Sequence, residues 1–382
     1  MRNDRRREGF ALATAIVAII VIGLLIAVSF FGSIQEYRTG RNSLSQERAL
    51  AAAEFGQAAV LSDFNTDVAR AMKTGQVATR TVSVQSGTTA RIDVTRLNML
   101  TFSVVSEGRT ATGTDLEARR RTGMLIRLEV PELRIQGALT TANKTTLTGN
   151  GATSGADQNP AGWACDDSGP ERAGVVNANA ADVIATGGCN GWSCVTGTPK
   201  LAVDPLAGDP ATYDEFGGFS YDSLAAMASV VLNTTPLSGM APVVTGGVCN
   251  RSAPLNWGDI NRNAVTPGPC ESYFPIIHIT NPGETNISGG TGQGILLVDG
   301  SLKLNGNFEF FGPIIVKKNL ITEGTGNKVT GGVMAANEGC TTNPCNRVAG
   351  NAVIQFSRCA LLATMISYAR PVLATRSWAD MF

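Results

Sequence analysis

The sequence predicts an α+β protein: a long N-terminal transmembrane and stalk helix, a small antiparallel sheet, then a β-rich ectodomain containing a short parallel β-helix with 19-residue rungs. Three observations carry this. Phe10 to Phe31 is an unbroken run without a charge. Four segments between Val77 and Val130 alternate apolar and polar side chains. Five short apolar segments recur at an even spacing from Pro275 onward.

The apolar run comes first. As a helix rising ~1.5 Å per residue it spans ~33 Å, enough to cross a bilayer core. Arg2, Arg5, Arg6 and Arg7 precede it, so that end should stay in the cytoplasm and everything after Gly32 should lie outside it. Helical spacing of small and apolar residues continues through Ser33–Phe64, most plainly in ERALAAAEFGQAAVL at Glu47–Leu61.

The period-two segments follow: Val77–Val84, Ala90–Leu97, Leu100–Glu107 and Gly123–Val130. They read as an antiparallel meander packed on the helix, and the charge run Glu117–Arg121 (EARRR) as a solvated turn. Residues 136–274, rich in Gly, Asn, Thr and Pro, read as loops held by disulfides, with one short helix at Ser223–Leu232 capped by Ser223. The repeat aligns Pro275, Gly294, Pro313, Gly332 and Asn351, each followed by an apolar strand. Fixed self-similarity at a period of roughly 20 residues marks stacked rungs. Gly306-Asn307 and Gly326-Asn327 supply corners where positive φ is easy, which also explains the phosphate-loop-like Gly324–Lys328. Ser357–Ser367 reads as a helix covering the last rung.

Composition excludes several functions. The 31 basic and 31 acidic residues balance, without the basic excess of a nucleic-acid binder. A single histidine, His278, argues against His-based metal sites and Ser/Cys–His catalysis, and no G-x-S-x-G, GxxxxGK[ST] or HExxH motif occurs. Lys317 and Lys318 are adjacent and so point to opposite faces of a strand, which argues against a convergent lyase site. The acidic groups at Asp166-Asp167 and Asp214-Glu215 lack the alternating spacing of a calcium loop. No cofactor and no metal is expected. Cys165, Cys189, Cys194, Cys249, Cys270, Cys340, Cys345 and Cys359 make up to four disulfides in a translocated domain. About a hundred pairings are open; Cys189 with Cys194 and Cys340 with Cys345 are the candidates for small local loops. Trp163, Trp192, Tyr213, Tyr221 and Trp257 are core residues in one reading and ligand contacts of an adhesin in another.

Arg7-Glu8-Gly9-Phe10 resembles the end of a type III (prepilin) leader. The Arg48–Glu54 stretch is similar to the Arg-Ala-Leu-x-Ala-Ala-Glu run that follows the apolar segment in PilX-type minor pilins. On this evidence the chain resembles a PilX-like type IV minor pilin (the PilX N-terminal domain family), well as far as Asn65 and loosely as far as Val130. The resemblance implies cleavage between Gly9 and Phe10 by a prepilin peptidase, methylation of Phe10, and packing against other pilin subunits through the N-terminal helix. It implies a single-pass bacterial inner-membrane protein with its ectodomain periplasmic or carried into a pilus, and no enzymatic activity. Thr14 stands at the fifth mature position, where major pilins carry Glu. That departure fits a minor subunit in assembly priming, at the tip or in adhesion to an unidentified surface ligand. The alternatives are a type II secretion pseudopilin and a membrane-anchored β-helix adhesin or polysaccharide-acting protein. The expected organisation is leader 1–9, transmembrane and stalk helix 10–64, meander 65–135, disulfide-held loops 136–274, rungs 275–356 and C-terminal cap 357–382.

Overall fold

The computed structural model describes residues 8–65, 68–69, 72–85, 87–163, 165, 169–262, 266–341 and 343–381, with side chains from Leu12 onward. Most of the expected leader, and Asp166 and Asp167, lie outside the described residues. The chain is α+β: one long apolar helix, an antiparallel sheet and a parallel β-helix.

Helix α1 runs from Glu8 to Ser62, 55 residues without a proline. It is long and apolar enough to cross a membrane. From Leu12 to Leu44 its side chains are exposed. Over its last turns it buries a stripe of Ala49, Ala52, Ala53, Gly56, Gln57 and Val60, spaced i, i+3, i+4, i+7, the spacing of one helix face. That stripe lies on four antiparallel strands, β1 Val77–Gln85, β2 Thr88–Asn98, β3 Thr101–Thr110 and β4 Ala118–Glu129. They pair in sequence order, because short turns join neighbours and alternation leaves one face apolar. Ile92, Phe102, Val104, Met124, Ile126 and Leu128 form that face and pack with Val60.

Ala118–Arg121 of the EARRR run are the start of β4 and not a solvated turn; Glu117 alone precedes the strand. Strand alternation places Arg121 across from Glu107 on β3, and Glu107, nearly buried, is clasped by Arg121 and Arg109. Arg120 pairs with Asp380 at 3.2 Å.

The β-helix has three faces. The first stacks 230–232, 276–279, 295–298, 314–316, 333–335, 139–141, 175–177 and 201–203 in parallel register. The second stacks 237–238, 284–288, 301–305, 320–323, 346–348, 145–147 and 183–185. The third stacks 290–293, 308–311, 328–331, 353–356, 152–154 and 195–196. Inward side chains from all three fill one core of Ile, Leu, Val and Phe.

The expected repeat holds where Ile276 pairs with Ile295 and Ile314 with Val333. It is one residue shorter where Leu296 pairs with Ile314. The copy at Asn351 does not stack on Gly332 as the repeat suggests. The Cys340–Cys345 loop lengthens this corner, so Val353 pairs with Lys328 on the third face. On the first face, Leu139 takes the place next to Val333. Much of 136–274, expected as loops, is therefore β-helix. The chain starts in the middle of the stack at 137–154, winds to one end at 201–203, crosses outside the rungs, and winds back from 230–241 to 332–356. The crossover packs Phe216, Phe219, Tyr221 and Leu224 over Ile276, Ile295, Leu297 and Ile315. Its helix α2 is Tyr221–Ala226, capped by Ser220, whose hydroxyl accepts from the Ser223 N–H at 3.1 Å. Ser223 is the third residue of the helix, where it returns the bond, and Val230–Leu232 is a strand.

Helix α3 spans Arg358–Ile366 and is capped by Ser357. It does not sit over the end of the stack. Leu361 and Met365 join the β-helix core while Cys359 and Ile366 join the core beneath α1, so α3 is the joint between the two. Arg370–Leu373 and Ala379–Met381 then pair with β4 and finish the antiparallel sheet. The ends of the stack are closed otherwise: Trp192 and the Cys189–Cys194 loop lie at one, and fully buried Trp257 with Met240 lies at the other. Solenoid ends need such cover.

Candidate functional site: the helix seat and the solenoid faces

Close approach of α1 to the sheet is set by glycine. A Cβ on Gly56 would stand 2.9 Å from the Ala90 Cβ, and one on Gly108 would overlap the Ala49 carbonyl. Small residues on both sides let the two backbones meet, as GxxxG-type contacts do between helices. The Glu47–Leu61 pattern marks the helix half of this seat. The β3 half, Ser106 and Gly108, escapes sequence reading because a glycine in a strand announces close approach only once its neighbour is known.

Gly9 and Phe10 lie in the first turns of α1, and Thr14 is exposed one turn beyond. The eight cysteines form four disulfides: Cys165–Cys359, Cys189–Cys194, Cys249–Cys270 and Cys340–Cys345. Both four-residue spacers are closed loops. Among the described residues no three His, Cys, Asp or Glu side chains gather as a metal site.

The aromatic residues weighed as ligand contacts are mostly core. Trp257 is fully buried against Phe308 and Phe310, and Tyr213 and Tyr221 are 2% exposed. Trp163 is half-buried between Phe274 and Phe311, with Arg262 over its ring.

His278 lies on the outer side of the first face. Its Nε2 is 3.0 Å from Asp299 Oδ1, the oxygen that also accepts the Tyr221 hydroxyl at 2.9 Å. Lys317 Nζ sits 4.3 Å from the centre of the Tyr221 ring. Burial, and then the Asp299 charge, push the Tyr221 hydroxyl far above its ordinary value. It therefore stays protonated and donates, which ties the crossover to the rungs and makes it a poor base. Lys318 turns away to donate to the Pro282 carbonyl at 2.8 Å, so the two lysines do not converge.

The crossover covers the first face, and α3 with residues 256–262 and 266–274 covers the third. The second face is open to solvent. Its outward row includes Asn286, Lys303, Ile321, Arg347, Thr146 and Ile184. Glu323 holds Lys303 at 2.8 Å and Arg347 at 3.6 Å, so these three charges are paired among themselves.

The architecture is an exposed N-terminal helix, long and apolar enough to cross a membrane, whose last turns seat on an antiparallel sheet that is followed by a larger β-rich domain. No family model matches the chain, and no curated protein matches it. Among solved structures, the crystal structure of the competence-associated pilin ComZ from Thermus thermophilus aligns with 88% of this chain and 97% of its own. Identity is 12% and the TM-score 0.25, a likeness that carries no argument about function.

Proposed function

We propose that this chain is a non-enzymatic minor pilin-like subunit of a type IV pilus. In this reading a prepilin peptidase cuts between Gly9 and Phe10, Phe10 is methylated, and α1 holds the subunit first in the inner membrane and then among the helices of other pilins. The observation that carries it is the division of α1: exposed and apolar from Leu12 to Phe31, then seated on the sheet from Ala49 to Val60. A soluble protein would bury that apolar surface.

Thr14 supports a minor role. A carboxylate inside an apolar helix is tolerated when paired; a subunit without it lacks one docking contact and suits a scarce position at the tip or in priming. A β-rich domain several-fold larger than the helix would also crowd a packed shaft. The burial of Tyr213, Tyr221 and Trp257 supports priming over adhesion through those aromatics. Counting this chain against the major pilin in sheared filaments tests the assignment. A small fraction is expected, and parity would contradict it.

A further inference from the structure

The order of the rungs in space is not their order in sequence, and the two parts of the stack differ in self-sufficiency. Residues 230–356 supply five consecutive rungs, each built on the one before. Residues 137–203 supply two complete rungs and the single strand Leu201–Val203. A stack of this kind needs about three repeats before its core is closed. The second part reaches that number only by docking on 332–356. There Leu139 pairs with Val333, Thr145 with Asn346 and Ala152 with Val353. Side chains fasten the same joint. Asn346 donates to Thr145 Oγ1 at 3.1 Å, across 201 residues of sequence. Gln355 donates to the carbonyls of Ser154 and Ala156, and Arg358 N–H donates to Asp157 at 2.8 Å.

We propose that this joint makes the ectodomain a completion switch: residues 137–203 take up their rungs only after 332–356 are in place, so the earlier-made half of the domain folds last. Closing a loop of this length opposes docking until the receiving rung exists. Until then Leu139, Leu147, Val175, Val183 and Val195, all in the common core, have nothing complete to pack on. A copy whose later rungs are missing or unfolded would expose them, and would be marked for proteolysis before it reached any assembly. This inference concerns the fold and does not depend on the pilus assignment.

Hydrogen exchange read by mass spectrometry on the full chain tests it, with Cys165 and Cys359 unlinked during refolding so that no covalent tie closes the loop in advance, and with the disulfides intact at equilibrium. In pulse labelling during refolding, amides of 295–316 should gain protection before those of 139–154 and 173–185. At equilibrium, Gln355→Leu should speed exchange in 137–203 at least about tenfold and leave 295–316 within about twofold. Leu237→Ala, at the far end of the stack, should act on 276–293 and spare 137–203. Protection of 137–203 first, or Gln355→Leu opening 295–316 as much as 137–203, would overturn the proposal.

Discussion

Gly108 of β3 lies directly beneath Ala49 of α1, so near that a Cβ on the glycine would overlap the alanine carbonyl. The helix is held here by backbone proximity, which no larger side chain can replace. Gly108→Ala should therefore push α1 off its seat and cost about 1–3 kcal/mol, the range for an overpacked interior. Gly218→Ala, with nothing within 4 Å of the new methyl and an ordinary φ, should be near neutral. Urea denaturation of the two variants in detergent gives the comparison; equal midpoints would contradict the seat.

Trp257 separates core from surface. It is 0% exposed and Trp378 is 54% exposed. Trp257→Ala should cost about 3–5 kcal/mol, as removal of a buried aromatic does, while Trp378→Ala should stay within about 0.5 kcal/mol. Thermal denaturation reads the difference. A silent Trp257→Ala would return that residue to the list of surface contacts.

The clasp on Glu107 predicts an acid-sensitive step. Burial acts to raise its carboxyl, but the hydrogen bonds from Arg121 and Arg109 outweigh it and hold the group below its ordinary 4.5. A lowered folded value stabilises the fold at pH above the ordinary carboxylate range, and the contribution is lost as pH falls through the folded value. Glu107→Gln should be less stable than the parent at pH 7, with the gap closing below about pH 4. A gap unchanged down to pH 3 would contradict the clasp.

The disulfides should be unequal. Cys165–Cys359 spans 194 residues and ties α3 to the segment before the second rung, while Cys189–Cys194 spans 5. Replacing the long-range pair by alanines should cost more, typically ~2–5 kcal/mol. Thiol titration of denatured, unreduced protein should find almost no free thiol; eight would contradict the pairing.

The helix, the meander and the repeat from Pro275 were legible because each is periodic over a long enough stretch. The rungs of 137–203 were not. Their strands Thr145–Leu147, Ala152–Ser154 and Val183–Ala185 are too short to show a period, and the neighbour of Leu139 is Val333, which no local pattern names. Asn351 was misplaced by the same limit, since an apolar triplet looks alike on any face and only the length of chain between Ala335 and Asn346 decides which it joins. Ser220 took the cap expected of Ser223 because the helix begins earlier, at Tyr221, whose ring packs on His278 and whose hydroxyl reaches Asp299. The β3 side of the helix seat depends on what lies above Gly108.

Whether this chain is a processed pilin-like subunit is tested most directly by the mass of its N-terminal peptide. Protein extracted from membranes of cells with an active prepilin peptidase should begin at Phe10 with one added methyl group, and Gly9→Ala should block the cut. An intact Met1 in those cells would contradict the account and leave α1 as a plain membrane anchor.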